Sequence, residues 1–159
     1  MRFLIQRVSE ASVEVDQKII GQIKSGLLVF VGVSDRDTTE IANRMIEKLL
    51  KLRIFEDSAG KTNCSLADIG GEILVVSQFT LYADCKKGNR PSFTDAGNAE
   101  SANRLYEYIL QQIASKGVAV QHGIFGAMMN VSLVNHGPFT VFLDSDQLFE
   151  QKSAALPQI

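Results

Sequence analysis

Immediately after Gly70-Gly71 the chain runs EILVVSQFTLYA, a strongly apolar stretch interrupted by Ser77, Gln78 and Thr80. A run of that length and composition, opened by a glycine pair, reads as a strand crossing the centre of a domain. The other elements must be arranged around it. Upstream, FLIQRVSEASVEV, KIIGQI and LLVFVGV read as strands separated by the turn-like VDQK and KSG, and such short connections imply antiparallel neighbours. Ile41, Met45, Leu49 and Leu52 then recur at helical spacing over Glu40 to Leu52, with Thr38 or Thr39 placed to cap the first turn. The polar EDSAGKTN beyond RIF reads as a loop.

Downstream, ADCKKGNRPSFTDAG is rich in turn residues and charge, which predicts an exposed loop of the kind that carries binding groups. A second helix fits Ala99 to Ser115, with Ala102, Leu105, Tyr106, Ile109, Leu110 and Ile113 on its apolar face. GVAVQHGIF, MNVSLVN and PFTVFLD supply three more strands. Both helices are expected to lie on the sheet. With 159 residues and no internal repeat or linker, the expected organisation is one domain over 1–146 and a polar tail over 147–159.

Composition narrows the function. A net charge of −2 argues against a protein that coats nucleic acid through bulk electrostatics, so any RNA contact must be local. Lys86, Lys87 and Arg90 in one loop, and Lys48, Lys51 and Arg53 near a helix end, are the candidate clusters, and plain solvated surface is the alternative for each. The first apolar run is too short for a signal or a span, so neither export nor a membrane is expected. Cys64 and Cys85 have no CxxC spacing and read as free thiols in a reducing cytoplasm.

No HExxH, P-loop, GxGxxG or GxSxG occurs, and the two histidines, His122 and His136, lie far apart in sequence. Neither a metal nor a cofactor is expected. A Cys85-His pair is conceivable, with an inert thiol as the alternative. Two segments remain. Ser77-Gln78-Phe79-Thr80-Leu81 closes the central run, where alternation in an extended chain puts Gln78 and Thr80 on one face and Ser77 and Phe79 on the other. Backbone amides beyond a strand end, with such donors nearby, suit a carbonyl oxygen gaining negative charge; the alternative is a strand fraying into a polar loop. Asn135-His136-Gly137-Pro138-Phe139-Thr140 separates two apolar strands and reads either as a hairpin turn or as a site where a cis Gly-Pro bond aims the Gly137 carbonyl.

Together SQFTL and NHGPFT resemble the paired signature motifs of the D-aminoacyl-tRNA deacylase (D-tyrosyl-tRNA deacylase) family. IQRV with ASV, GLLVFVGV, KLRIF, GKTN and GNRPSF stand in that family's order, so the resemblance spans roughly residues 1–145. It implies an α/β fold, a single compact domain with two layers of β-structure covered on one side by two helices. It also implies a cytoplasmic homodimer with active sites at the subunit interface, acting on the aminoacylated 3′ end of tRNA and not on DNA.

The implied activity is that of a carboxylic ester hydrolase in translation proofreading, which releases D-amino acids from mischarged tRNA and rejects L-aminoacyl substrates by collision with the pocket wall. Glycyl-tRNA, lacking a side chain to reject, is an expected second substrate. Residue by residue, the resemblance places Ser77, Gln78, Phe79 and Thr80 at the reaction centre. Gly137 and Pro138 become a cis pair reading the substrate amino group, Arg7 the side chain bracing that pair, and Phe125 and Met129 the residues holding the terminal adenosine. Hydrolysis would then proceed by amide stabilisation of the oxyanion around Gln78 and Phe79, with help from the ribose hydroxyl and no protein base. Thr80 as a nucleophile, a non-catalytic RNA-binding dimer and a cysteine-dependent esterase are the competing readings.

Overall fold

The computed structural model describes residues 1–149. Strands β1 (Arg2–Val15), β2 (Lys18–Ile23), β3 (Gly26–Gly32) and β6 (Glu72–Ser77), with β7 (Val120–His122) and β8 (Asn130–Asp144), form one mixed sheet in the order β2-β1-β3-β6-β7, and β8 also pairs with β1. Helices α1 (Thr39–Leu50) and α2 (Ala99–Ser115) are the expected two. Thr38 caps α1 by accepting from the Ile41 N–H, and Asn98 caps α2 by accepting from the Ser101 N–H.

The sheet curls so that β2, while paired with β1, also lies against β6 and β7. Gly21 marks this approach: a Cβ there would meet the His122 carbonyl at 3.0 Å and the Leu74 side chain at 3.2 Å. Curling makes two apolar clusters. One, between sheet and helices, takes Phe3, Ile5, Leu27, Val29, Ile73 and Val75 with Met45, Leu49, Tyr106 and Ile109; the other, inside the curl, takes Val8, Ala11, Val13, Leu28, Leu74 and Val76. The inward residues of β1 change parity between Val8 and Ala11, where its pairing with β8 is irregular. Two β layers with helices on one side are the expected fold.

Several local expectations fail, each for a visible reason. KSG does not join antiparallel neighbours: β3 pairs with residues 2–8 of β1 and β2 with residues 11–15, so both lie along one strand rather than beside each other. The 56–63 loop contains a short hairpin, β4 (Phe55–Glu56) with β5 (Thr62–Cys64). The central run stops being a strand at Ser77, which pairs with Val31 near the end of β3, and becomes a 3-10 turn over Phe79–Tyr82. MNVSLVN and PFTVFLD are one strand, β8, because both halves run antiparallel to the same neighbour and no reversal separates them. Helix α3 (Ser145–Phe149) follows β8, and Phe149 packs on the core with the Arg44 guanidinium 3.8 Å from its ring centre. The rest of the expected tail, 150–159, lies outside the described residues.

Parallel pairing of β3 with β6 depends on Gly26. A Cβ at that position would stand 1.9 Å from the Glu72 carbonyl oxygen, a backbone atom that cannot swing away. Gly26→Ala is expected to destabilise the fold by about 2 kcal/mol through forced backbone displacement, measured as a lower urea midpoint. An unchanged midpoint would mean that the two strands separate without penalty.

Candidate active site

The end of β6 opens into a cavity of about 760 Å³, within the usual size of a small-molecule site. Its walls come from three places. Ser77, Gln78, Phe79 and Thr80 form one side, and the first turn of α2 forms another through Ala99 and Ala102, whose small side chains bound the space without filling it. Phe125, Gly126, Met128 and Met129, between β7 and β8, form the third. Six of the nine residues expected at the site are therefore gathered here: Ser77, Gln78, Phe79, Thr80, Phe125 and Met129.

Polar groups are few and concentrated at the strand end. The Gln78 N–H continues the sheet by donating to the Val31 carbonyl at 2.8 Å, so it is unavailable to a substrate, contrary to the expectation that it helps hold an oxyanion. The next two amides differ. Phe79 and Thr80 precede the first hydrogen bond of the 3-10 turn, from Leu81 N–H to the Gln78 carbonyl, and neither finds a protein acceptor among the described residues. The Gln78 side-chain amide donates to the Thr80 hydroxyl, which fixes both side chains against the turn. Arg2 fastens the turn from behind: it donates to the Leu81 carbonyl at 2.9 Å and to Asp144 at 2.9 Å, with its guanidinium 4.4 Å from the centre of the Tyr82 ring. Burial and the nearby Asp37 push the Tyr82 phenol up to about 12, so it remains neutral.

Two aromatic residues missed as site residues complete the walls. Phe93 meets Phe79 edge-on with ring centres 5.1 Å apart, and Phe79 is 58% exposed at the rim. Tyr106, read from the sequence only as part of an apolar helix face, lies 5.9 Å from Phe125 and donates to the Val75 carbonyl at 2.9 Å. Burial raises the Tyr106 phenol well above its ordinary value, so it acts as a fixed donor and not as a proton exchanger. Nothing in the local pattern of α2 separates a cavity tyrosine from a core one.

Gly137, Pro138 and Arg7 do not line this cavity. The Gly137-Pro138 peptide is cis and belongs to a bulge in β8: residues Gln6 and Val8 of β1 pair with Thr140 and Asn135, so 136–139 project from the sheet. Arg7, only 2% exposed, holds the projection from below, donating to the carbonyls of His136 at 2.9 Å, Gly137 at 2.8 Å and Ile54 at 2.7 Å. Its guanidinium also lies 4.6 Å from the centre of the Phe139 ring. The Asn135 side-chain amide closes the base by donating to the Arg7 and Phe139 carbonyls.

Cys85 is exposed, His122 holds its Nδ1 against the neighbouring Gly123 carbonyl at 2.8 Å, and among the described residues no hydrogen bond joins Cys85 to either histidine. Among the described residues no group of three or more His, Cys, Asp or Glu is placed to hold a metal, and no helix is long and apolar enough to cross a membrane.

Residues 4–144 match the family model described as D-Tyr-tRNA(Tyr) deacylase, which spans both the cavity and the braced projection. The chain belongs to this family. Among curated relatives, a D-aminoacyl-tRNA deacylase of Thermotoga petrophila is 54% identical over 149 residues, covering 94% of this chain and 100% of that protein. One of Listeria monocytogenes serotype 4a is 53% identical over 148 residues, covering 93% and 98%. Among solved structures, one titled c-Myc DNA Unwinding Element Binding Protein superposes with a TM-score of 0.85 at 40% identity, covering 91% of this chain and 98% of that one. A probable eukaryotic D-amino acid tRNA deacylase, at 21% identity and a TM-score of 0.79, shares the fold of this deacylase-family chain.

Proposed function

We propose that this protein hydrolyses the ester linking a D-amino acid to the 3′ end of tRNA, in the cytoplasm, with residues 1–146 as the catalytic unit. The observation that carries the proposal is that Phe79 and Thr80, whose amides find no acceptor among the described residues, both line an apolar cavity in a chain of this family. Water adds to the ester carbonyl, the oxygen gains negative charge, and the two amides receive it. The tetrahedral species then collapses: the bond from the acyl carbon to the ribose oxygen breaks, that oxygen takes a proton, and the free amino acid leaves. The neighbouring ribose hydroxyl assists proton movement, so no side-chain base is needed. Phe125 and Met129 provide a stacking surface for the terminal adenine.

Gly137 and Pro138 are exposed and absent from their own chain's cavity, which supports a homodimer in which each projection enters its partner's site. There the projection recognises the substrate amino group, leaving room for a D side chain and none for an L one, and glycine passes as a second substrate. With chelator present, purified protein is expected to cleave D-tyrosyl-tRNA at least about tenfold faster than L-tyrosyl-tRNA, the scale of discrimination by steric exclusion. Equal rates would remove the chiral reading.

Thr80 is assigned support because its hydroxyl is engaged by Gln78 and, among the described residues, it has no hydrogen bond to a histidine, lysine or carboxylate. Thr80→Val is expected to retain turnover within about tenfold of the parent, since positioning defects of that size are common. Near-complete loss in a folded protein would favour a covalent route through Thr80 instead.

A further inference from the structure

The loop between the 3-10 turn after β6 and the start of α2 carries charge that the reaction chemistry above does not use. Its legs are pinned together by reciprocal hydrogen bonds between Asp84 and Ser92, at 2.8 and 2.9 Å. One leg leaves Thr80 and the 3-10 turn; the other delivers Phe93 to the cavity wall against Phe79. The tip turns through Gly88, whose φ is +69°, and the Asp84 carboxylate accepts from the Lys86 N–H at 2.8 Å, ordering the first leg. Lys86, Lys87 and Arg90 are all exposed on this tip, and none forms an ion pair among the described residues. The nearby carboxylates, Asp84 and Asp95, stand at the base, leaving three cations and no anion between residues 86 and 90.

The other basic cluster contrasts with it. Lys51 is paired with Glu47 at 3.8 Å, Arg53 donates to the Asn63 carbonyl at 2.6 Å, and Lys48 is exposed on α1; none of the three adjoins a residue that lines the cavity. In a chain of net charge −2, a run of three cations without ion pairs among the described residues thus sits on the loop that joins cavity residues Thr80 and Phe93. Chain length limits the separation: Arg90 is three residues from Phe93, so its backbone lies within about 11 Å of the wall.

We infer that the Lys86-Lys87-Arg90 tip grips the phosphodiesters immediately preceding the terminal adenosine, and so docks the single-stranded end of tRNA over the cavity. This rests on the proposed function and extends it from the ester to the backbone behind it. Phosphate contacts displace counterions, and on a single strand each steepens the dependence of log affinity on log salt by about 0.7. Three contacts therefore weaken binding roughly 20-fold between about 50 and about 200 mM salt.

The test compares the parent with K86A/K87A/R90A on D-aminoacyl-tRNA and on D-aminoacyl-adenosine, which has no phosphodiester. Expected is a fall of about tenfold or more in the ratio of kcat/KM on tRNA to that on the adenosine ester at low salt, with the salt slope on tRNA shallower by about 2. Lys86→Arg with Lys87→Arg should restore the slope, and K48A/K51A should leave it as in the parent. An unchanged slope, or equal losses on both substrates, overturns the inference. If the parent cleaves neither ester, the proposed function fails by itself. The salt slope for binding uncharged tRNA, measured on the same variants, then decides the role of the loop.

Discussion

Arg7→Met is expected to destabilise the protein by about 3 kcal/mol, because three carbonyls lose a charged donor and one of them, that of Ile54, is buried with it. Methionine fills much of the volume, so the loss reports hydrogen bonding rather than a cavity. Turnover should fall by more than about 100-fold, since the Gly137 carbonyl loses the group that fixes its direction. Arg7→Lys should rescue little of either: an ammonium on a single stem cannot span the three acceptors that the planar guanidinium reaches. Chemical unfolding and deacylation kinetics on the two variants check both parts. Retained activity in Arg7→Met would show that the projection needs no brace.

Gly137→Ala should separate folding from function. No atom lies within 4 Å of a Cβ built at Gly137, so in an isolated chain the methyl group meets nothing and the unfolding midpoint should hold. If the projection fills a partner's cavity, the same methyl displaces the substrate, and turnover should fall by about 100-fold or more. Complementation gives the decisive form of the experiment. Gln78→Arg blocks the cavity in one chain; mixed after unfolding and refolding with Gly137→Ala chains, it should regain about a quarter of the parental sites, since half the dimers are mixed and each has one intact site. No recovery from mixing would place Gly137 and the cavity in the same chain or disconnect them.

The sequence carried the elements and the cavity residues better than their connections. Periodicity located α2 from Ala99 to Ser115, and capping chemistry placed the start of α1 at Thr38 or Thr39. SQFTL was legible as a polar strand end, yet its conformation was not, because local alternation cannot reveal that β3 provides no partner far beyond Val31. The expected faces of Gln78 and Thr80 gave way to a turn that instead joins their side chains. NHGPFT was ambiguous between a hairpin and a projecting motif for a similar reason: both halves of β8 look like separate strands until their shared neighbour is known. Phe93 and Tyr106 were invisible as cavity residues, since apolar side chains on a loop and on a helix face are ordinarily structural.

The parity of the central strands has a consequence for cooperativity. In β3 and β6, neighbouring side chains enter opposite apolar clusters: Leu27 and Val29 against Leu28, Ile73 and Val75 against Leu74 and Val76. Withdrawing either strand would expose both clusters at once, so neither can melt while the other survives. Heat and denaturant should therefore meet a single all-or-none transition, and the helices should offer no separately melting subdomain.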